Sequence, residues 1–183
     1  GVMPQAHAQA ITISGNSYAN RLWQDAIKAT KTKILPGPVV FSDCTLALDT
    51  EHLHGQDLAA TYVNRGVLFL CELDIGNAKH DFEQAITLRP QLAEGYVNRG
   101  AASIAEKRYQ DAIEDFDRGL SLNPAEPEVA YYDRAIARED LNDLKGAYED
   151  YTQASALNPD WDMPKTELSR FKQNNVKIEP AYE

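Results

Sequence analysis

Tyr96-Val97-Asn98-Arg99-Gly100 decides how this chain is read, because it occurs twice and very nearly a third time. Tyr62-Val63-Asn64-Arg65-Gly66 precedes it by 34 residues, and Tyr131-Tyr132-Asp133-Arg134-Ala135 follows it by 35. Sixteen residues after each leading tyrosine stands an alanine, Ala78, Ala112 and Ala147. Four further on comes an aromatic, Phe82, Phe116 and Tyr151. Each block closes on Leu-x-Pro, at Leu88-Arg89-Pro90, Leu122-Asn123-Pro124 and Leu157-Asn158-Pro159. Self-similarity at a fixed period is the mark of an array whose units cover one another's apolar faces.

Helical spacing explains the residue types. Tyr62, Gly66 and Phe69 recur at four and three residues, which places them on one face of a helix. A mid-helix glycine costs about 1 kcal/mol against alanine, so Gly66 and Gly100 imply close approach of a second helix. Ala78, Ala112 and Ala147 are the matching small residues on that second helix, and Phe82, Phe116 and Tyr151 fill the space between hairpins. Turns are expected at Asp74-Ile75-Gly76-Asn77, Arg108-Tyr109-Gln110-Asp111 and Asp143-Leu144-Lys145-Gly146. Pro90, Pro124 and Pro159 end the second helices, since proline lacks the N–H and clashes with the preceding turn. Pro127 accounts for the extra residue between the second and third blocks.

The pattern closely resembles the tetratricopeptide repeat, over residues 59–161. The expected fold is therefore all-α, a solenoid of antiparallel helix hairpins with regular repeats over 59–92, 93–127 and 128–161. Residues 162–173 read as a capping helix, with Pro164 in its first turn and Leu168 and Phe171 as its apolar stripe. Residues 17–58 read as a degenerate hairpin. Tyr18, Leu22, Trp23, Ala26 and Ile27 form the buried face of its first helix, and Cys44 stands where the regular repeats carry an aromatic. Residues 1–16, including the strand-like Ile11-Thr12-Ile13, form an extended leader remnant, and 174–183 form a tail.

A hydrophobic fraction of 43% in 183 residues suffices for a packed core. A net charge of −10 argues against nucleic acid and anionic lipid as partners. No apolar run approaches the roughly 20 residues of a spanning helix. Ala8-Gln9-Ala10 has the small-x-small form that precedes signal-peptide cleavage. With the divergent hairpin behind it, the arrangement resembles small exported tetratricopeptide proteins of Gram-negative bacteria. The expected location is periplasmic or secreted, the alternative cytoplasmic. Cys44 and Cys71 are compatible with one disulfide or with two inert thiols.

The family resemblance implies that the first helix of each pair lines a concave groove for a peptide or helix. Mapped here, that groove comprises Val63, Asn64, Val67 and Leu70, then Val97, Asn98, Ala101 and Ile104, then Tyr132, Asp133 and Ile136. Ala60, Glu94, Val129 and Glu139 flank it. Asparagine amides both donate and accept, so Asn64 and Asn98 suit an extended backbone, or else bond a neighbouring helix. Groove sites that carry cations in family members clamping acidic chaperone tails hold Ala60, Val63, Glu94, Val129 and Asp133 instead. An apolar or mildly basic protein segment is the expected partner; self-assembly into a homo-oligomer is the alternative. Arg65, Arg99 and Arg134 face away from the groove and are expected to pair with Asp81, Asp115 and Asp150. His52 and His54 lack a third metal ligand at a diagnostic spacing, and Cys71 with His80 makes no nucleophile–base pair. No catalytic residue, metal or cofactor is expected.

Overall fold

Three tight links and three proline stops divide the helical region into hairpins. The computed structural model describes Gln9, Leu48 and residues 55–173. Among these residues it contains α1 (Gly55–Cys71), α2 (Ile75–Leu88), α3 (Ala93–Ala105), α4 (Tyr109–Ser121), α5 (Pro127–Asp140), α6 (Leu144–Leu157) and α7 (Asp162–Gln173), and no strand. The helices pair as α1 with α2, α3 with α4 and α5 with α6. Each pair packs on the next, and α1 touches α3 as α3 touches α5, so the first helices form an inner layer. This is the all-α solenoid that the repeat predicts. The degenerate hairpin expected over 17–58 lies outside the described residues, apart from Leu48 and 55–58.

The small and large residues of the repeat interlock. A Cβ on Gly66 would sit 2.5 Å from Cε1 of Phe82, and one on Gly100 would sit 3.1 Å from Cε1 of Phe116. In these two repeats glycine therefore makes room where the ring of the second helix crosses the first. Phe82, Phe116, Ala78, Ala112 and Ala147 are all fully buried. Each buried Phe contributes about 1.5–3 kcal/mol relative to exposure. At the far end α7 covers the stack. Phe171 lies 6.0 Å from the rings of both Tyr148 and Tyr151, and Trp161 lies 4.9 Å from Tyr132.

The turns fall earlier than the sequence suggests. Ile75, Tyr109 and Leu144 already begin second helices, and the links are residues 72–74, 106–108 and 141–143. Leu73, Lys107 and Asn142 adopt left-handed backbone, with φ of 62°, 61° and 64°. The next residue's N–H then reaches back five positions: Asp74 to the Phe69 carbonyl at 2.9 Å, Arg108 to Ser103 at 2.8 Å, Asp143 to Arg138 at 2.8 Å. That closure satisfies a terminal carbonyl of the first helix and reverses the chain in three residues. Asn favours this conformation, but Leu and Lys do not, so two of the three turns carry no local signature. Asp74 and Asp143 cap the helices that follow, accepting from the N–H of Asn77 and of Gly146.

Candidate functional site

The inner layer brings the predicted groove residues together. Val63, Asn64, Val67 and Leu70 lie on α1, Val97, Asn98, Ala101 and Ile104 on α3, and Tyr132, Asp133 and Ile136 on α5. Every one of them is buried. The face is thus covered in this structure, and part of it is committed to the fold. Val97 fills the space beside Gly119 of α4, where a Cβ would meet its Cγ2 at 2.5 Å. Tyr132 packs between Tyr151, at 5.3 Å, and Trp161. Burial pushes the Tyr132 hydroxyl up to about 12, with the charges of Glu167 and Asp133 adding to the effect. At the rim, Glu94 accepts a hydrogen bond from the Ala125 N–H at 3.0 Å, and Glu139 accepts from Arg170 at 2.6 Å.

Asn98 is the centre of the face. Its Oδ1 accepts from the backbone N–H of Gln9 at 2.7 Å, and its Nδ2 donates to the Gln9 carbonyl at 2.7 Å. The second Nδ2 hydrogen goes to the Glu94 carbonyl one turn back, at 2.9 Å, which fixes the amide plane. One side chain therefore holds both polar groups of a single residue, the exchange that a neighbouring strand makes in an antiparallel ladder. Gln9 also donates from Nε2 to the Glu126 carbonyl at 3.1 Å, while its Oε1 is buried without a hydrogen-bond partner among the described residues. Asn64 and Asp133, at the equivalent positions on α1 and α5, are fully buried and neither lacks a partner.

The opposite side of the first helices is built differently. Arg65 binds Asp81 through two hydrogen bonds of 2.6 and 2.7 Å, Arg99 binds Asp115 at 2.9 and 2.7 Å, and Arg134 binds Asp150 at 2.8 and 2.7 Å. Each pair joins the two helices of one hairpin, as expected from the sequence. The guanidinium groups also lie 5.7, 5.8 and 5.2 Å from the rings of Tyr62, Tyr96 and Tyr131, which explains the tyrosine that opens each motif. The hydrogen bond that Arg99 donates to Asp115, against the opposing effect of burial, holds the guanidinium charged above its ordinary range.

The period, the Gly–Phe crossings and the proline stops agree with a match of residues 93–126 to the tetratricopeptide repeat family model. Residues 93–126 match one such repeat, and the array has the fold of tetratricopeptide-repeat domains. No curated protein sequence matches the chain significantly. Among solved structures, the tetratricopeptide domain of Arabidopsis OM64 superposes with a TM-score of 0.62 at 24% identity, covering 66% of this chain and 99% of that one. The second tetratricopeptide domain of human RPAP3, in complex with the HSP70 peptide SGPTIEEVD, has a TM-score of 0.60 at 25% identity, covering 65% and 98%. A MamA RS-1 double mutant has a TM-score of 0.65 at 16% identity, over 90% of this chain and 89% of that one.

Two residues at the inner face carry no clear signal in the sequence. Gln9 falls in the leader segment, and nothing in its neighbourhood signals a contact 89 residues away. Trp161 sits between α6 and α7, at the very end of the third repeat, and only its aromatic character marks it as a cover for Tyr132. The remaining candidates carry no site. Cys71 is a free, half-buried thiol that burial pushes up, followed by the charge of Glu72. Cys44, His52 and His54 lie outside the described residues. Among the described residues no three His, Cys, Asp or Glu side chains converge as metal ligands, and no helix is long and apolar enough to cross a membrane.

Proposed function

We propose that this chain is a non-catalytic interaction module that holds an extended segment of another protein on its inner face. The observation that carries this reading is the pair of hydrogen bonds, one accepted and one donated by the Asn98 amide, with the backbone of a single residue. A contact made to backbone groups takes many sequences, and neighbouring positions then set the preference. Structurally similar domains are seen with peptides, among them the HSP70 peptide SGPTIEEVD and the HSP90 peptide SRMEEVD, both rich in acidic residues. On this face Ala60, Val63, Glu94, Val129 and Asp133 occupy the wall, and the whole chain carries −10. An acidic tail is therefore a poor fit, and an apolar or mildly basic segment a good one. Catalysis has no support from Cys71, because a thiol pushed up by burial is not the thiolate a nucleophile needs.

The test is fluorescence anisotropy with two labelled peptides, SRMEEVD and a neutral-to-basic sequence of the same length. Binding of the second with micromolar affinity and of the first far more weakly is expected. Asn98→Ala should weaken the second by roughly tenfold, the loss of about 1.4 kcal/mol of hydrogen bonding. Unchanged affinity in Asn98→Ala would rule out the inner face. Asn98 is the residue to vary, since Val97 and Ile104 belong to the core and their polar substitutes would unfold the array. Sedimentation at micromolar concentration is expected to give a monomer; a concentration-dependent dimer would move the reading to self-assembly.

A further inference from the structure

The Asn98 amide and the Glu126 carbonyl belong to different repeats, yet both bond one residue, Gln9. Glu94 ties the two together. Its main-chain carbonyl accepts from Asn98 Nδ2 at 2.9 Å, and its carboxylate accepts from the Ala125 N–H at 3.0 Å. We infer that Glu94 is a positioning residue that holds the Glu126 carbonyl as a second reading point. The residue seated on Asn98 is thereby selected for a side-chain N–H donor of glutamine length. This rests on the reading of the inner face as a peptide site, and names the anchor residue of the partner.

Gln9 shows what the seat takes. It is 2% exposed, its backbone meets Asn98, and its Nε2 donates to the Glu126 carbonyl at 3.1 Å. A main-chain carbonyl accepts and cannot donate, so a glutamate in the same position would set oxygen against oxygen. The arrangement occurs once among the three repeats. At the register of Glu94 the first and third repeats carry Ala60 and Val129, whose side chains accept nothing. The link before α5 also has five positions, 122–126, against four in 89–92 and in 158–161. Glu126 is the last residue of that longer link and the N-cap of α5.

Two restraints set the acceptor in advance. The Glu94 carboxylate anchors the link one residue before Glu126, and the Glu126 carbonyl already takes the Val129 N–H at 3.2 Å, within the first turn of α5. The second lone pair of that carbonyl is left for the seated side chain. An acceptor fixed beforehand asks no ordering of the array, and one net hydrogen bond is worth roughly threefold to tenfold in affinity. Asn98 thus takes the backbone of any residue but proline, while Glu126, held by Glu94, reads the side chain.

The experiment is fluorescence anisotropy with the full chain and three labelled peptides, AAVQVAA, AAVLVAA and AAVEVAA. The ratio of glutamine-peptide to leucine-peptide affinity is the readout, because competition from Gln9 is common to both and divides out. Glu94→Ala puts at this register the residue type that the first repeat has at Ala60, and is expected to lower the ratio by roughly threefold. Glu94→Gln keeps an acceptor for the Ala125 N–H without the charge, and should keep the native ratio. The glutamate peptide should bind most weakly throughout. The Asn98 side-chain amide, followed by two-dimensional NMR and assigned through its disappearance in Asn98→Ala, should stay in place in Glu94→Ala, since the Glu94 carbonyl remains. An unchanged ratio in Glu94→Ala overturns the inference, as does a glutamate peptide that binds as tightly as the glutamine one. So does a Glu94→Gln chain that behaves like Glu94→Ala, because the effect is then one of charge. A displaced Asn98 signal in Glu94→Ala also overturns it, because Glu94 then acts through Asn98. In each of these cases binding that still depends on Asn98 leaves the peptide site standing. Peptide binding that Asn98→Ala leaves unchanged overturns the site and the inference together.

Discussion

On α3, Arg99 reaches outward to Asp115, 16 positions away, while the adjacent Asn98 reaches inward to Gln9, 89 positions away. The outward contact recurs as Arg65–Asp81 and Arg134–Asp150, with the same spacing and the same two-toothed geometry. Its partners are fixed by the hairpin itself, so any copy of the repeat brings them together. The inward contact depends on Gln9, a residue that the repeat does not contain. The outer row is therefore integral to each unit, whereas the inner contact is made to a residue outside the repeats. Neighbouring residues on one helix thus make a contact within the hairpin and a contact beyond it, by the direction in which they point.

The largest effect is expected on the outer row. Asp150 is 3% exposed at its side chain and binds Arg134 at 2.7 Å and Arg138 at 2.9 Å. Asp150→Ala leaves two guanidinium groups short of a partner and should cost about 3 kcal/mol. This sits at the low end for a broken buried pair, because Arg134 keeps Asp117 and both arginines touch solvent. Thermal denaturation followed by circular dichroism should drop by roughly 6–12 °C. A drop under about 2 °C would break the claim that the outer row closes the hairpins. The Asn98 amide signal should stay in place in the folded variant.

A smaller effect is expected between the two rows, at the helix crossing. Gly66→Ala presses a Cβ against the buried ring of Phe82 and should cost about 1–2 kcal/mol net of the gain in helix propensity. Gly100→Ala, where the nearest ring atom is 3.1 Å away, should cost less. Chemical denaturation measures both, and the reverse order would show that the crossing does not set the residue. The third repeat already carries Ala135 at this position, opposite Tyr151.

The smallest effect is a gain, in a turn that belongs to neither row. Leu73 is 78% exposed and sits at φ 62°. Leu73→Gly relieves the left-handed strain at little loss of burial and should stabilise by about 0.5–1 kcal/mol. The Asn98 amide should again be unmoved. A loss of stability would mean that this exposed leucine contributes a contact that outweighs its backbone strain.

Much of the fold was legible because each rule of the repeat is local. Tyr96 stacks on an arginine three residues on, Arg99 finds an aspartate 16 residues on, and Pro124 stops a helix through its own ring. The turns were less legible, since the left-handed Leu73 and Lys107 are imposed by helix closure and not by their own preferences. At the site, Asn98 stood out because an amide recurs at that register in two repeats. Its partner did not, because a hydrogen bond between Gln9 and α3 leaves no periodicity in either segment.

Sequence alone thus determined the period, the helix pairing, the residues that must be small and the outer arginine–aspartate row, all of them interactions closed within one or two repeats. Tertiary structure decided which of the inner-face residues are spent on the core, as Val97 and Tyr132 are, and what lies against Asn98. The physical reason is range. Contacts inside a hairpin are set by helical geometry, whereas contacts between the array and a distant segment are set by which groups the finished fold leaves unsatisfied.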